Sequence, residues 1–173
     1  MTMFEEKLET EIKFINWLKK LSEEDTKPMA ELRKSLSYDL ATYPKAFPYV
    51  EIYEFYGDWD RKAHYLVSGL YALHKMEDNE VPTKEDLGGT IFQLYKDNEE
   101  SKSIEQRFIT LLESDEDELA HRLRQMISLL KGKSIHWPLL LKHIKYWKDS
   151  QKWVQQIWGR SFYRNFKAQK QES

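Results

Sequence analysis

The chain has 173 residues, a formal net charge of −2 and no cysteine. That length suits one domain, or two small lobes sharing a core, at about 100–200 residues per domain. Zero cysteine excludes thiolate nucleophiles, cysteine-ligated zinc and disulfide scaffolds.

Charged residues throughout 4–20 argue against a signal peptide. Runs such as Leu139-Leu140-Leu141 fall far short of the roughly 20 apolar residues that a bilayer span requires. The expectation is a soluble, cytoplasmic protein.

Leu occurs 20 times against 4 Val, and Gly plus Pro number only 11, so helix formers dominate over strand and turn formers. In chain order, a first helix is expected over Phe4–Leu21, then a polar loop over Ser22–Pro28 and a short helix over Ala30–Leu36. Tyr43–Pro48 reads as a turn-rich connection with two prolines. Tyr49, Ile52, Tyr53 and Tyr56 fit helical spacing better than strand alternation. Asp58 or Asp60 can cap a helix running to about Lys75. The acidic stretch Glu77–Asp86, with Pro82, is the best hinge candidate.

Helices follow near 87–98, 103–113, 116–130, 137–148 and 150–167. Ile104, Phe108, Leu111 and Leu112 share one face, as do Leu119, Leu123, Met126, Ile127 and Leu130, and Trp137, Leu140, Leu141 and Ile144. Gly132 with Ser134 ends one helix, and Pro138 sits in the first turn of the next. The fold class expected is all-α: a bundle of about eight or nine helices in two small lobes, 1–85 and 86–173.

The near-neutral total hides an asymmetry. Residues 1–130 hold 17 basic and 27 acidic side chains, whereas residues 131–173 hold 10 basic and 2 acidic. Such a contrast suggests a local anion-binding surface.

Enzyme motifs are absent. Gly88-Gly89-Thr90 is a doublet without the lysine of a phosphate loop, and neither G-x-S-x-G nor H-E-x-x-H occurs. His136 and His143 lie two helical turns apart with no carboxylate beside them in sequence, so no metal and no cofactor is expected. Asp115-Glu116-Asp117-Glu118 precedes an apolar repeat and fits the first turn of a helix, where the backbone dipole favours carboxylates. Glu5, Glu6, Glu9 and Glu11 are expected on a solvated face.

The basic residues point outward. Arg33 and Lys34 flank a face defined by Leu32 and Leu36, and Arg122 and Arg124 flank Leu123. Lys142 and Lys145 lie beside the Trp137–Ile144 face. On the last helix Val154, Ile157, Trp158, Ser161, Phe162 and Phe166 cover one side, while Arg160, Arg164 and Lys167 project on the other, with Trp153 among them. Cations with interleaved aromatics suit nucleic acid, where charge meets phosphate and rings stack on bases. The same residues also suit a protein interface or a solvated helix face.

At these motifs the sequence resembles the CasB family, the small subunit of the type I-E CRISPR complex called Cascade. The resemblance runs from about Leu32 to Tyr163. It rests on Leu32-Arg33-Lys34, Ala72-Leu73-His74, Leu87-Gly88, Glu105-Gln106-Arg107-Phe108 with Leu111-Leu112, and Ser114-Asp115. It continues through Leu123-Arg124-Gln125, Trp137 with Leu139-Leu140, Trp147, and Trp158 with Phe162-Tyr163. Two departures stand out: Gln106 where the family often pairs a second arginine with Arg107, and His136 where it often has Asp.

The resemblance implies a non-catalytic helical subunit of a crRNA-guided antiviral complex, binding nucleic-acid backbone without sequence specificity and stabilising the R-loop. Expected partners are the backbone and large subunits, a second copy of itself, and the target and displaced DNA strands, with crRNA as a further candidate. Arg33, Lys34, Arg107 and Arg124 fall within matching motifs. Lys142 and Lys145 follow by position, and Arg122, Arg160 and Arg164 rest on helical faces alone. Arg107 has a rival role as a bridge to a carboxylate such as Asp115. A purely structural scaffold, with an acidic lobe docking on a basic one, is the alternative function.

Overall fold

The computed structural model describes residues 7–74 and 83–172, without the side chains of 165 and 167–172. Among these residues it is all-α, with nine helices and no strand. They are α1 (Glu9–Glu24), α2 (Lys27–Ser35), α3 (Phe47–Val50), α4 (Asp58–His74), α5 (Leu87–Asp97), α6 (Lys102–Leu112), α7 (Glu116–Leu129), α8 (Trp137–Lys145) and α9 (Trp153–Glu172), with a 3₁₀ turn at Pro44–Ala46. No described helix is long and apolar enough to cross a membrane.

The chain forms two compact units, and the first is discontinuous in sequence. It comprises Met1–Lys75 together with Trp137–Lys145, and the second comprises Met76–His136 with Tyr146–Ser173. In the first unit α4 takes α2 and α8 against it, and α8 also packs on α1. Its core holds Phe14, Leu18, Met29, Leu32, Leu66, Leu70, Leu141 and Ile144, all buried. The Trp59 indole at the start of α4 donates to the Ile144 carbonyl at 2.8 Å, which fastens the end of α8.

In the second unit α5 packs on α9, and α6 packs on both α5 and α7. Aromatic rings fill much of its interior. Phe108 stacks on Phe162 with centroids 4.5 Å apart, and Trp147 leans on Trp158 at 5.1 Å. Such pairs contribute beyond the area they bury.

Local chemistry sets several boundaries differently from the periodicity. The expected loop Ser22–Pro28 shrinks to two residues, because Pro28 sits in the first turn of α2, where its missing N–H is not needed. The helical spacing of Tyr49–Tyr56 is not realised: α3 stops at Val50, and Ile52 and Tyr56 are exposed. Helix α8 ends at Lys145, three residues early, and the Trp147 indole beyond it donates to the Ser114 carbonyl at 2.9 Å. Most of the hinge candidate, and the start expected for the first helix, lie outside the described residues. Asp86 is the N-cap of α5: it accepts from the Gly89 N–H at 3.0 Å and from the Ser161 hydroxyl of α9 at 2.5 Å.

The acidic run is a helix start, as expected. Asp115 accepts from the N–H groups of Asp117 and Glu118, and the Glu118 carboxylate returns to the Asp115 N–H, which closes a capping box. Asp115→Ala should lower the unfolding free energy by about 1–2 kcal/mol, read as a lower urea midpoint.

One solvated-face expectation fails. Glu9 is exposed, but Glu11 is only 4 % exposed, turned inward toward Lys145 of α8. Glu5 and Glu6 lie outside the described residues.

Candidate nucleic-acid interface

The site is best built from α6 and α7, both in the second unit. Ser101 caps α6 by accepting from the Ile104 N–H, and the capping box at Asp115 opens α7. The two helices therefore form a hairpin whose apolar stripes, Ile104, Phe108 and Leu111 against Leu119, Leu123, Met126 and Ile127, turn into the core.

The remaining faces leave a groove of about 450 Å³, lined by Ser103, Gln106, Arg107 and Thr110 from α6 and by His121, Arg122, Gln125 and Met126 from α7. No carboxylate lines it, although this part of the chain is acidic overall. Donors in a lining that itself holds no carboxylate favour an anion.

The two arginines of the groove differ. Arg122 donates to the Thr110 carbonyl at 2.8 Å and to the Ser114 hydroxyl at 3.1 Å, and it pairs with Glu118. It is a strut between the helices. Arg107 is exposed and makes no ion pair among the described residues. The bridging role considered for Arg107 is thus filled by Arg122, while Asp115 is occupied as a cap.

The other candidates scatter over separate elements. Arg33 and Lys34 are exposed on the last turn of α2 in the first unit, with the Lys34 ammonium 5.9 Å from the Tyr43 ring centroid. Lys142 is half-buried, 3.4 Å from the Lys7 carbonyl. Lys145, also half-buried, lies 3.1 Å from Glu11 and 3.9 Å from Asp60, so its charge is balanced inside the first unit. Arg124 is half-buried on α7. Arg160 and Arg164 are exposed one turn apart on α9, Arg160 reaching Gln156 at 3.4 Å. The Trp153 ring tilts against Tyr146 at 5.5 Å. The Lys167 side chain is outside the described residues.

Sequence reasoning centred on cations missed Ser103, Gln106, Thr110, His121 and Gln125. A signal was present. Positions 103, 106, 107 and 110 make one helical stripe, and 121, 122 and 125 repeat the 106, 107, 110 spacing on the following helix. Two consecutive polar stripes beside two apolar ones mark a hairpin with a wet groove.

The charge asymmetry also changes meaning. Divided by unit, the first holds 13 basic and 13 acidic residues and the second 14 and 16. Acidic and basic halves of the chain do not become acidic and basic bodies, because the strongly acidic stretch 76–130 and the basic stretch 146–173 fall in the same, second unit. Among the described residues no group of three metal-ligating side chains converges.

Residues 28–163 match the family described as CRISPR-associated protein Cse2. A protein of that description from Thermus thermophilus is 40% identical over 157 residues, covering 87% of this chain and 88% of its own. The CasB crystal structure from M. ruber has a TM-score of 0.77 at 32% identity, over 94% of this chain and 97% of that one. A chain of a structure described as a CRISPR RNA-guided surveillance complex reaches a TM-score of 0.78 over 95% and 98%, but at 18% identity it speaks for the fold alone. With the family match spanning the helices that build the groove, the chain belongs to the Cse2 (CasB) family of CRISPR-associated proteins.

Proposed function

We infer that the chain is the non-catalytic small subunit of a type I-E crRNA-guided surveillance complex, and that it holds nucleic-acid backbone without reading sequence. Base pairing between guide and target carries the specificity in RNA-guided systems, and exchanging one duplex for the other is nearly balanced in energy. Modest contacts to a DNA strand therefore tip the R-loop open.

The observation that carries this reading is the α6–α7 groove, which presents an exposed arginine, Arg107, and no lining carboxylate. Arg33 and Lys34 on α2, and Arg160 and Arg164 on α9, are further exposed cations for the backbone path, and Arg124 lies half-buried on α7 itself. Lys145 and Arg122 support the fold instead. The alternative of lobes docking through opposite charges loses its premise, because neither unit carries a large net charge.

Purified protein is expected to bind labelled single-stranded DNA with an affinity that falls steeply with salt. In an Arg33→Ala/Lys34→Ala/Arg107→Ala variant the log–log salt slope should shrink by roughly 2, at about 0.7 per phosphate contact on a single strand. Fluorescence anisotropy across a salt series measures it. An unchanged slope would remove these residues from the path, and no binding at low salt would return the cations to protein contacts.

A further inference from the structure

The lining of the α6–α7 groove exceeds what a backbone clamp requires. A clamp needs only donors, whether cations, hydroxyls or amide N–H groups, because phosphate oxygens only accept hydrogen bonds, and the acceptor half of an amide has no use there. Here one of the two arginines is locked inside the fold, and most of the lining is amide, hydroxyl or imidazole.

We propose that this groove seats one unpaired nucleotide, with the base over Met126, its edge met by the Gln106 and Gln125 amides, and the adjoining phosphate on Arg107. The proposal rests on the nucleic-acid reading above and narrows it to a ligand unit.

Four observations carry it. Met126 lines the groove yet is only 2 % exposed, so it closes the floor with an apolar side chain, which suits the face of a ring and not a phosphate. Gln106 and Gln125 come from different helices, are exposed, and make no side-chain hydrogen bond among the described residues. A primary amide carries a donor and an acceptor side by side, which is the pattern of a base edge and not of a phosphate. Because the amide can turn over, the match tolerates different bases, in keeping with sequence-independent binding.

The volume, about 450 Å³, falls within the range of small-ligand sites, roughly 300–1,000 Å³. Finally, the walls are held before any ligand arrives: the Arg122 hydrogen bonds to the Thr110 carbonyl and the Ser114 hydroxyl tie α7 to the end of α6, and the ion pair with Glu118 steadies Arg122. A preformed groove loses little freedom on binding. A base still paired in a duplex has its edge occupied, so the ligand is a strand without its complement.

The test compares a labelled oligothymidylate with an abasic strand of equal length and charge. Wild-type protein should bind the abasic strand about fivefold more weakly, or worse, at the same salt slope. Gln106→Ala/Gln125→Ala should bind both strands alike, at the abasic level, with the slope retained. Arg107→Ala should weaken both strands and reduce the slope by about 0.7. Alanine suits exposed helical positions, and the helical circular dichroism of each variant checks its fold.

A glutamine variant that keeps the preference for the base-bearing strand overturns the nucleotide seat while leaving backbone binding intact. Wild-type protein that binds both strands equally does the same. Binding to neither strand overturns the functional reading itself, and the seat with it.

Discussion

Gly88→Ala is expected to destabilise the protein by about 3 kcal/mol or more, at the upper end of what a single overpacked methyl does. A Cβ at Gly88 would stand 2.2 Å from the Trp158 carbonyl oxygen and 2.8 Å from the Cα and carbonyl carbon of the same residue. These are backbone atoms of α9, so no rotamer change relieves the contact, and α5 and α9 must separate. That seam holds the buried rings of Phe92, Trp158 and Phe162, so separation would open voids along it.

Thermal unfolding should show a midpoint lower by on the order of 10 °C. Gly159→Ala is the matched control on the opposing helix. Its added Cβ would meet only Leu112 Cδ1, at 4.0 Å, and alanine favours the helix, so the midpoint should rise slightly. Equal effects at the two glycines would refute the packing account.

Lys145→Met should cost about 3 kcal/mol for a different reason. Glu11, buried in the first unit, has the Lys145 ammonium 3.1 Å away and, among the described residues, otherwise accepts only from the Thr10 hydroxyl at 3.0 Å. Asp60 faces the same ammonium at 3.9 Å with a buried Oδ1 that has no hydrogen bond among the described residues, the His64 Nδ1 standing 3.4 Å from it. Removing the cation leaves the buried Glu11 carboxylate without its counter-charge, whereas Asp60 keeps the Tyr56 N–H at 2.8 Å, and breaking a buried pair from one side costs about 3–5 kcal/mol. The partial exposure of Lys145 puts the value at the low end. Adding Glu11→Leu should recover most of the loss, since replacing both partners by apolar groups is near neutral. Urea unfolding of the two single variants and the double variant closes the cycle.

The same cluster makes the first unit sensitive to acid. Burial holds the His64 imidazole below its ordinary pKa, opposed by the Asp60 carbonyl and carboxylate and by Glu11, and assisted by the Lys145 charge. The folded state therefore resists a proton that the unfolded chain accepts. Its contribution to stability is complete above about pH 6.5 and is lost as the pH falls below that value. In Lys145→Met the assisting charge is gone and the His64 pKa should rise, which makes the acid-side loss shallower. A histidine titration followed by NMR, beside unfolding at several pH values, reads both effects.

Helix identity was legible because its signals are local. Ile104, Phe108 and Leu111 repeat at helical spacing and are all buried, and Asp115 caps α7 as its position before Leu119 implied. What escaped was whatever depends on a distant partner. Glu11 reads as one more solvated glutamate because the lysine that neutralises it lies on α8, at the other end of the sequence. Gly88 reads as a failed phosphate loop, since nothing near it in sequence reveals that the backbone of Trp158 passes over it. Arg107 and Arg122 look alike in the text of the chain. Only the hydrogen bonds to Thr110 and Ser114 make one a strut and leave the other open.

The discontinuity of the first unit has a bearing on how the protein is made. As the chain is synthesised, α1 to α4 emerge early, but the helix that covers them, with Leu140, Leu141 and Ile144 on its buried face, follows only after the roughly 60 residues that open the second unit. At about 5–20 residues per second that interval is on the order of 3–12 s. Throughout it, the surface of α1 and α4 awaiting α8 stays wet, and Glu11 awaits the counter-charge that lets it enter the interior. The α6–α7 hairpin is meanwhile complete in sequence, yet Phe108 still awaits Phe162 of α9, so the unit that starts second also finishes second.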